Sequence, residues 1–135
     1  MLRVKGLGDL EADVVELVWA LDRAVTVREV LAKLNVSRDL AYTTVMTVMD
    51  NLHRKGWLVR EMVSRAYVYA AATSREQYSA QLMESALGAS NDSGATLVHF
   101  VESMGADELA ALRAALRTAK GAKAAAVRTG RTKPR

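Results

Sequence analysis

Apolar residues at Leu10, Val14, Leu17, Val18 and Leu21 follow the spacing of one helical face. They predict a first helix, and Asp9, Glu11 and Asp13 crowd its start, where the helix dipole favours acids. A second, short helix is predicted from Thr26 to Leu34. Val27, Val30, Leu31 and Leu34 form its buried stripe, and Thr26 with Glu29 makes a capping box. Asn35, Ser37 and Asp39 are turn and cap formers and interrupt the pattern. A third helix is predicted from about Asp39 to Lys55, closed by Gly56. Its apolar positions are Ala41, Val45, Val48, Met49 and Leu52. The opposite face carries Thr43, Thr47, Asp50 and Arg54 in one row, flanked by Tyr42, Thr44, Met46 and Asn51.

From Trp57 the period changes to two. WLVREMV and AYVYAA are rich in β-branched and aromatic residues and flank a Val63-Ser64-Arg65 tip, which predicts a β-hairpin. Helical spacing then returns over Ser74–Leu87, Ala95–Met104 and Asp107–Lys120, with NDSG and Gly105 as breaks and Ser74 with Gln77 as another capping box. Three helices followed by a hairpin outline a winged helix-turn-helix: mainly α with a small β element, and a C-terminal helical region. The expected organisation is a winged domain over residues 1–73, a helical dimerisation region over 74–119, and a loose basic tail over 120–135.

Composition narrows the function class. The 135 residues are half apolar, with 5% aromatics, so an aliphatic core is expected. The chain has no cysteine, which excludes disulfides and thiolate metal sites. Apolar runs are broken by charges, so no membrane insertion is expected, and the reading is cytoplasmic. The formal net charge is +4, but its location matters more than its sum. Residues 1–36 carry −1, residues 37–72 carry +2, residues 73–119 carry −3, and residues 120–135 carry +6. The tail holds more than the whole excess, so the pI alone says little about a basic DNA-binding face.

The third helix carries the candidate chemistry. Thr43, Thr44 and Thr47 offer hydroxyls and methyls, and Tyr42 and Met46 offer apolar contact to base edges in a major groove. Arg38, Arg54 and Lys55 are candidate phosphate contacts, and Arg65 is one at the wing tip, with Arg60 on the incoming strand. A solvated threonine face is the competing reading, although threonine is a poor helix former and invites another reason. Tyr67 and Tyr69 are expected to pack on the first helix with Trp57. The C-terminal helices are too short for an independent core. Their apolar positions, Tyr78, Leu82, Leu97, Val98, Phe100, Val101, Met104, Leu109, Leu112 and Leu116, suggest an isologous dimer, with folding back on the winged domain as the alternative. No catalytic motif is present, no cofactor is implied, and His53 and His99 stand apart, so neither an enzyme nor a metal site is expected. His53, beside Arg54 and Lys55, is read as facing phosphate or solvent. Two other readings stay open: a winged-helix protein-interaction module that does not read DNA, and a ligand-sensing regulator.

GDLEADVVELVW, TVREVLAKL, RDLAYTTVMTVMDNLHRKGWL, SRAYVYAA and LVHFVESMGADELAALRAAL together resemble the penicillinase-repressor family, BlaI/MecI, of the actinobacterial type. The resemblance runs from about Leu7 to Arg117. It implies a homodimeric winged-helix repressor that binds palindromic operators with TACA/TGTA-type half-sites. It places Thr43, Thr44 and Thr47 near bases, Tyr42 and Arg54 near the backbone, and Arg65 on the wing. It also implies derepression by a membrane-bound, β-lactam-sensing protease, which triggers cleavage of an Asn–Phe bond in the dimerisation helices. That bond falls on His99–Phe100 here, with His in place of Asn. Asn51 stands where many relatives carry Arg, and Ala71 where the family often has Pro.

Overall fold

The periodic segments become, in chain order, α1 (Asp9–Leu21), β1 (Val25–Thr26), α2 (Val27–Leu34), α3 (Tyr42–Arg54), β2 (Leu58–Val63), β3 (Ala66–Ala71), α4 (Arg75–Gly88), α5 (Ser93–Glu102) and α6 (Ala106–Arg128). The structure, a computed structural model, describes residues 6–128, with side chains through Ala119. The chain divides into two compact units, residues 1–83 and 84–135.

The first unit is a winged helix-turn-helix. Val14, Val15 and Val18 of α1, Val27 and Val30 of α2, and Val45, Met49 and Leu52 of α3 converge with Val25, Leu58 and Tyr69 in one buried core. Burying this many aliphatic side chains, at about 1.5–3 kcal/mol each, dominates the stability of the unit. Ala41, expected on the buried face of α3, is instead its exposed N-cap, and the helix begins at Tyr42 rather than Asp39. The cause lies in Asn35. Its Oδ1 accepts from the Leu40 N–H at 2.8 Å and its Nδ2 donates to the Leu40 carbonyl at 3.0 Å. This clamp holds residues 35–40 as the turn between α2 and α3 and delays helix entry.

The two ends of the turn unit are fixed by local chemistry that the sequence announces. Thr26 Oγ1 accepts from the Glu29 N–H at 3.1 Å, and Glu29 Oε1 accepts from the Thr26 N–H at 3.0 Å, a complete capping box. At the far end Gly56 adopts φ +88°, its N–H donates to His53 O at 3.1 Å, and the Trp57 N–H donates to Leu52 O at 2.9 Å. These are the two bonds of a Schellman motif, and the left-handed position favours glycine.

The sheet has the order β1-β3-β2, antiparallel throughout. Strand β1 has only two residues, too few for a period-two signal, and it pairs Val25 with Tyr69 and Thr26 with Val68. In the wing, Leu58 pairs with Ala71 and Val63 with Ala66. The tip is therefore the two-residue turn Ser64-Arg65, both with positive φ (49° and 68°), the requirement of a type I′ hairpin. Trp57 lies outside the strand. It packs with Trp19 (6.4 Å between ring centroids) and Tyr78 (5.1 Å), not with Tyr67 and Tyr69. Trp19 also donates from Nε1 to the Thr73 carbonyl at 2.9 Å, and Arg75 bonds Glu16 at 2.6 Å. These contacts seat the start of α4 against α1.

The second unit contains the end of α4, then α5 and α6. Asp92 Oδ1 caps α5 by accepting from the Ala95 N–H at 3.1 Å. Helix α6 continues to Arg128, beyond the Lys120 end that the sequence suggested, because residues 119–126 are rich in alanine, the best helix former. The expected loose tail therefore begins helical, and its residues 129–135 lie outside the described ones.

Candidate nucleic-acid interface

Helix α3 turns Val45, Met49 and Leu52 into the core, which by helical periodicity sends Tyr42, Thr43, Thr44, Met46 and Thr47 outward. All five are exposed, and Tyr42 and Met46 are each 42% accessible despite their apolar surface. The row thus presents three threonine hydroxyls, the Tyr42 ring with its own hydroxyl, and the apolar Met46 on one helix, in the size and chemistry that suit base edges.

The basic residues around this row differ in how free they are. Arg38 bonds the Asp13 carboxylate of α1. Lys55 reaches Glu11, with Nζ 2.9 Å from Oε1 and 2.8 Å from Oε2. Glu11 is held below its usual carboxylate range, chiefly by that Lys55 bond, and it also accepts from the Gly8 N–H. Arg54 bonds Asn51 and lies 3.2 Å from Asp50. Arg60, on β2, bonds Asp50 at 2.9 Å and stacks 4.0 Å above the Tyr67 ring, so it is built into the wing rather than held out to solvent. The Tyr69 hydroxyl and the Asp50 carboxylate hold Arg60 above its ordinary basicity. Arg65 is exposed at the wing tip with no ion pair among the described residues.

Sequence reasoning passed over Arg28. It sits on the first turn of α2, exposed, with its guanidinium carbon 5.5 Å from the Tyr42 ring centroid and no ion pair among the described residues. Tyr42 starts α3, so Arg28 flanks one end of the reading row while Arg65 projects from the wing. The available signal was its place just after the Thr26 cap, which puts it on the open side of α2. His53 is half-buried and its Nδ1 lies 3.2 Å from the Leu58 carbonyl. It links α3 to β2 and does not face open solvent. Among the described residues no cluster of His, Asp or Glu is arranged to hold a metal, and no helix is long and apolar enough to cross a membrane.

The residues expected at a dimer contact separate into two groups. Tyr78 is half-buried against Trp19 and Trp57 within the first unit. Leu82, Met104, Leu109 and Leu112 are half-buried. Leu97, Val98, Phe100, Val101 and Leu116 are exposed, Val98 by 56%, Phe100 by 46% and Leu116 by 59%. His99 is also exposed, with Nδ1 3.7 Å from the Glu102 carboxylate. No residue of α5 is buried.

The sequence profile of the penicillinase repressor family matches residues 7–118. Two relatives from strains of Mycobacterium tuberculosis, each named transcriptional regulator BlaI, are 46% identical over 119 residues, covering 86% of this chain and 86% of their own. Among solved structures, MepR, a transcription regulator of the Staphylococcus aureus multidrug efflux pump MepA, aligns with a TM-score of 0.46 at 15% identity, over 87% of this chain and 80% of that one. The transcriptional regulator Tm0710 from Thermotoga maritima aligns with a TM-score of 0.45 at 17% identity, over 95% of this chain and 81% of its own.

Proposed function

The chain belongs to the penicillinase repressor family, and from that membership we infer that it represses transcription as a homodimer bound to a palindromic operator of TACA/TGTA-type half-sites. The observation that carries the DNA reading is the exposed row of Tyr42, Thr43, Thr44, Met46 and Thr47 on α3. The row supplies base contacts. Arg28 and Arg65, neither engaged with an acid among the described residues, supply phosphate contacts at its flanks. Arg38, Arg54 and Lys55 contribute less, because contact with phosphate must compete with Asp13, Asp50 and Glu11.

The dimer is supported by α5, whose Leu97, Val98, Phe100 and Val101 are left open to water in a single chain. Apolar surface of this kind is stabilised by a second copy, and a two-fold dimer matches a palindrome. Derepression by proteolysis at His99–Phe100, triggered by a membrane-bound sensor protease, is the corresponding switch. Both residues are exposed on α5, so cutting there breaks the helix that carries the dimer contact and with it the paired half-site binding.

The deciding experiment is a titration of the protein against a TACA/TGTA palindrome and a scrambled duplex at several salt concentrations. Tighter binding to the palindrome is expected. Equal affinity for both duplexes would rule out sequence-specific repression and favour a protein-interaction role.

A further inference from the structure

The reading helix carries one carboxylate close to its reading row. Asp50 follows Thr47 by three positions, one helical turn further along. An acid beside the phosphates of a bound duplex is repelled by them, which weakens binding to any sequence. In this chain the carboxylate is bracketed by two arginines. Its Oδ1 accepts from Arg60 Nη1 at 2.9 Å, and its Oδ2 lies 3.2 Å from Arg54 Nη2. Arg60 belongs to the wing strand β2, and Arg54 to α3 itself.

Arg60 is the more firmly built of the two, with its side chain 22% exposed against 66% for Arg54. Its guanidinium covers the Tyr67 ring at 4.0 Å and lies 3.4 Å from the hydroxyl of Tyr69, which is buried in the core. A connected path of side chains thus runs from the reading helix through Asp50 and Arg60 to β2, the strand that leads into the Ser64-Arg65 turn.

We propose that Asp50 is a positioning residue that joins the reading helix to the wing through Arg60, favouring sequence discrimination over raw affinity for DNA. The joint holds the wing at one distance from α3, so Arg65 and the threonine row engage together only on a duplex of matching shape and sequence. The negative charge meanwhile lowers binding to every duplex, so that tight binding requires the full set of base contacts. This rests on the DNA-reading proposal above.

The test uses Asp50→Asn, which keeps the side-chain shape, Arg60→Met, which keeps the apolar stem, and the double variant. Asp50→Asn should bind a scrambled duplex as tightly as the parent chain or more tightly, while its preference for the palindrome falls about threefold. In the free protein each single variant should speed amide exchange across β2 and β3 by about threefold, and the double variant no further, as one shared joint requires. An unchanged preference, equal losses on both duplexes, or additive effects on exchange would overturn the proposal. If the parent chain itself binds both duplexes equally, the operator reading fails. The exchange cycle, which needs no DNA, then decides separately whether the joint exists.

Discussion

Lys55 donates to both carboxylate oxygens of Glu11, at 2.9 and 2.8 Å, and so ties the end of α3 to the start of α1. A cation counted from sequence as a phosphate contact is thus also a structural clasp. Half of Lys55 is open to water, so the pair contributes only roughly 0.5 kcal/mol.

The clasp has a pH signature. The folded-state carboxyl of Glu11 titrates below its ordinary value of 4.5, mainly through Lys55. Its stabilisation is therefore present above that value and fades as pH falls through the lowered one. Lys55→Met should lower the Tm at pH 7, and the gap from the parent chain should shrink toward pH 3. Thermal unfolding at both pH values checks this; a constant gap would mean that Lys55 acts through packing alone.

Arg65 stands at φ +68°, where any residue with a Cβ is strained by roughly 1 kcal/mol. Arg65→Gly should therefore raise thermal stability while weakening DNA binding. The slope of log affinity against log salt should drop by about one for each protomer. Arg28→Ala should lower that slope in the same way without the gain in stability. Salt titrations beside melting curves separate the two effects, and a slope unmoved by either change would remove that residue from the phosphate contacts.

Thr47 is exposed and makes no core contact. Thr47→Ala should leave stability intact or slightly raised, because alanine is the better helix former. It should relax preference at one operator position by roughly 1–3 kcal/mol with an unchanged salt slope. Competition binding against single-base operator variants measures this. A uniform loss on every sequence would place Thr47 against the backbone.

Phe100 is 46% exposed in the middle of the open face of α5. Phe100→Glu should give monomers by sedimentation, with normal melting of the winged unit, and should abolish tight binding to the full palindrome. A dimer that survives this change would place the interface elsewhere.

Much of this architecture is legible in the residues. The capping pairs Thr26/Glu29 and Ser74/Gln77 form as the sequence indicates, with Gln77 N–H to Ser74 Oγ at 3.0 Å and Ser74 N–H to Gln77 Oε1 at 2.8 Å. Gly56 ends α3, and the outward row of that helix follows from its period. Local chemistry and periodicity carry these features. The ion pairs that engage Arg38, Lys55 and Arg60 join residues 25, 44 and 10 positions apart. No local pattern reveals them, since they depend on how α1, α3 and β2 meet. The same holds for Trp57, whose partners Trp19 and Tyr78 are remote in sequence.

That aromatic cluster has a practical consequence. The chain has two tryptophans, and both sit in it, with Trp19 anchored to the Thr73 carbonyl and covered by Arg75 at 5.0 Å. Tryptophan fluorescence of this protein is therefore a report on one place, the seating of the first turns of α4 on α1. Emission that shifts when DNA is added would mean that occupancy of α3 is felt there. Silent emission would confine the event to the reading surface.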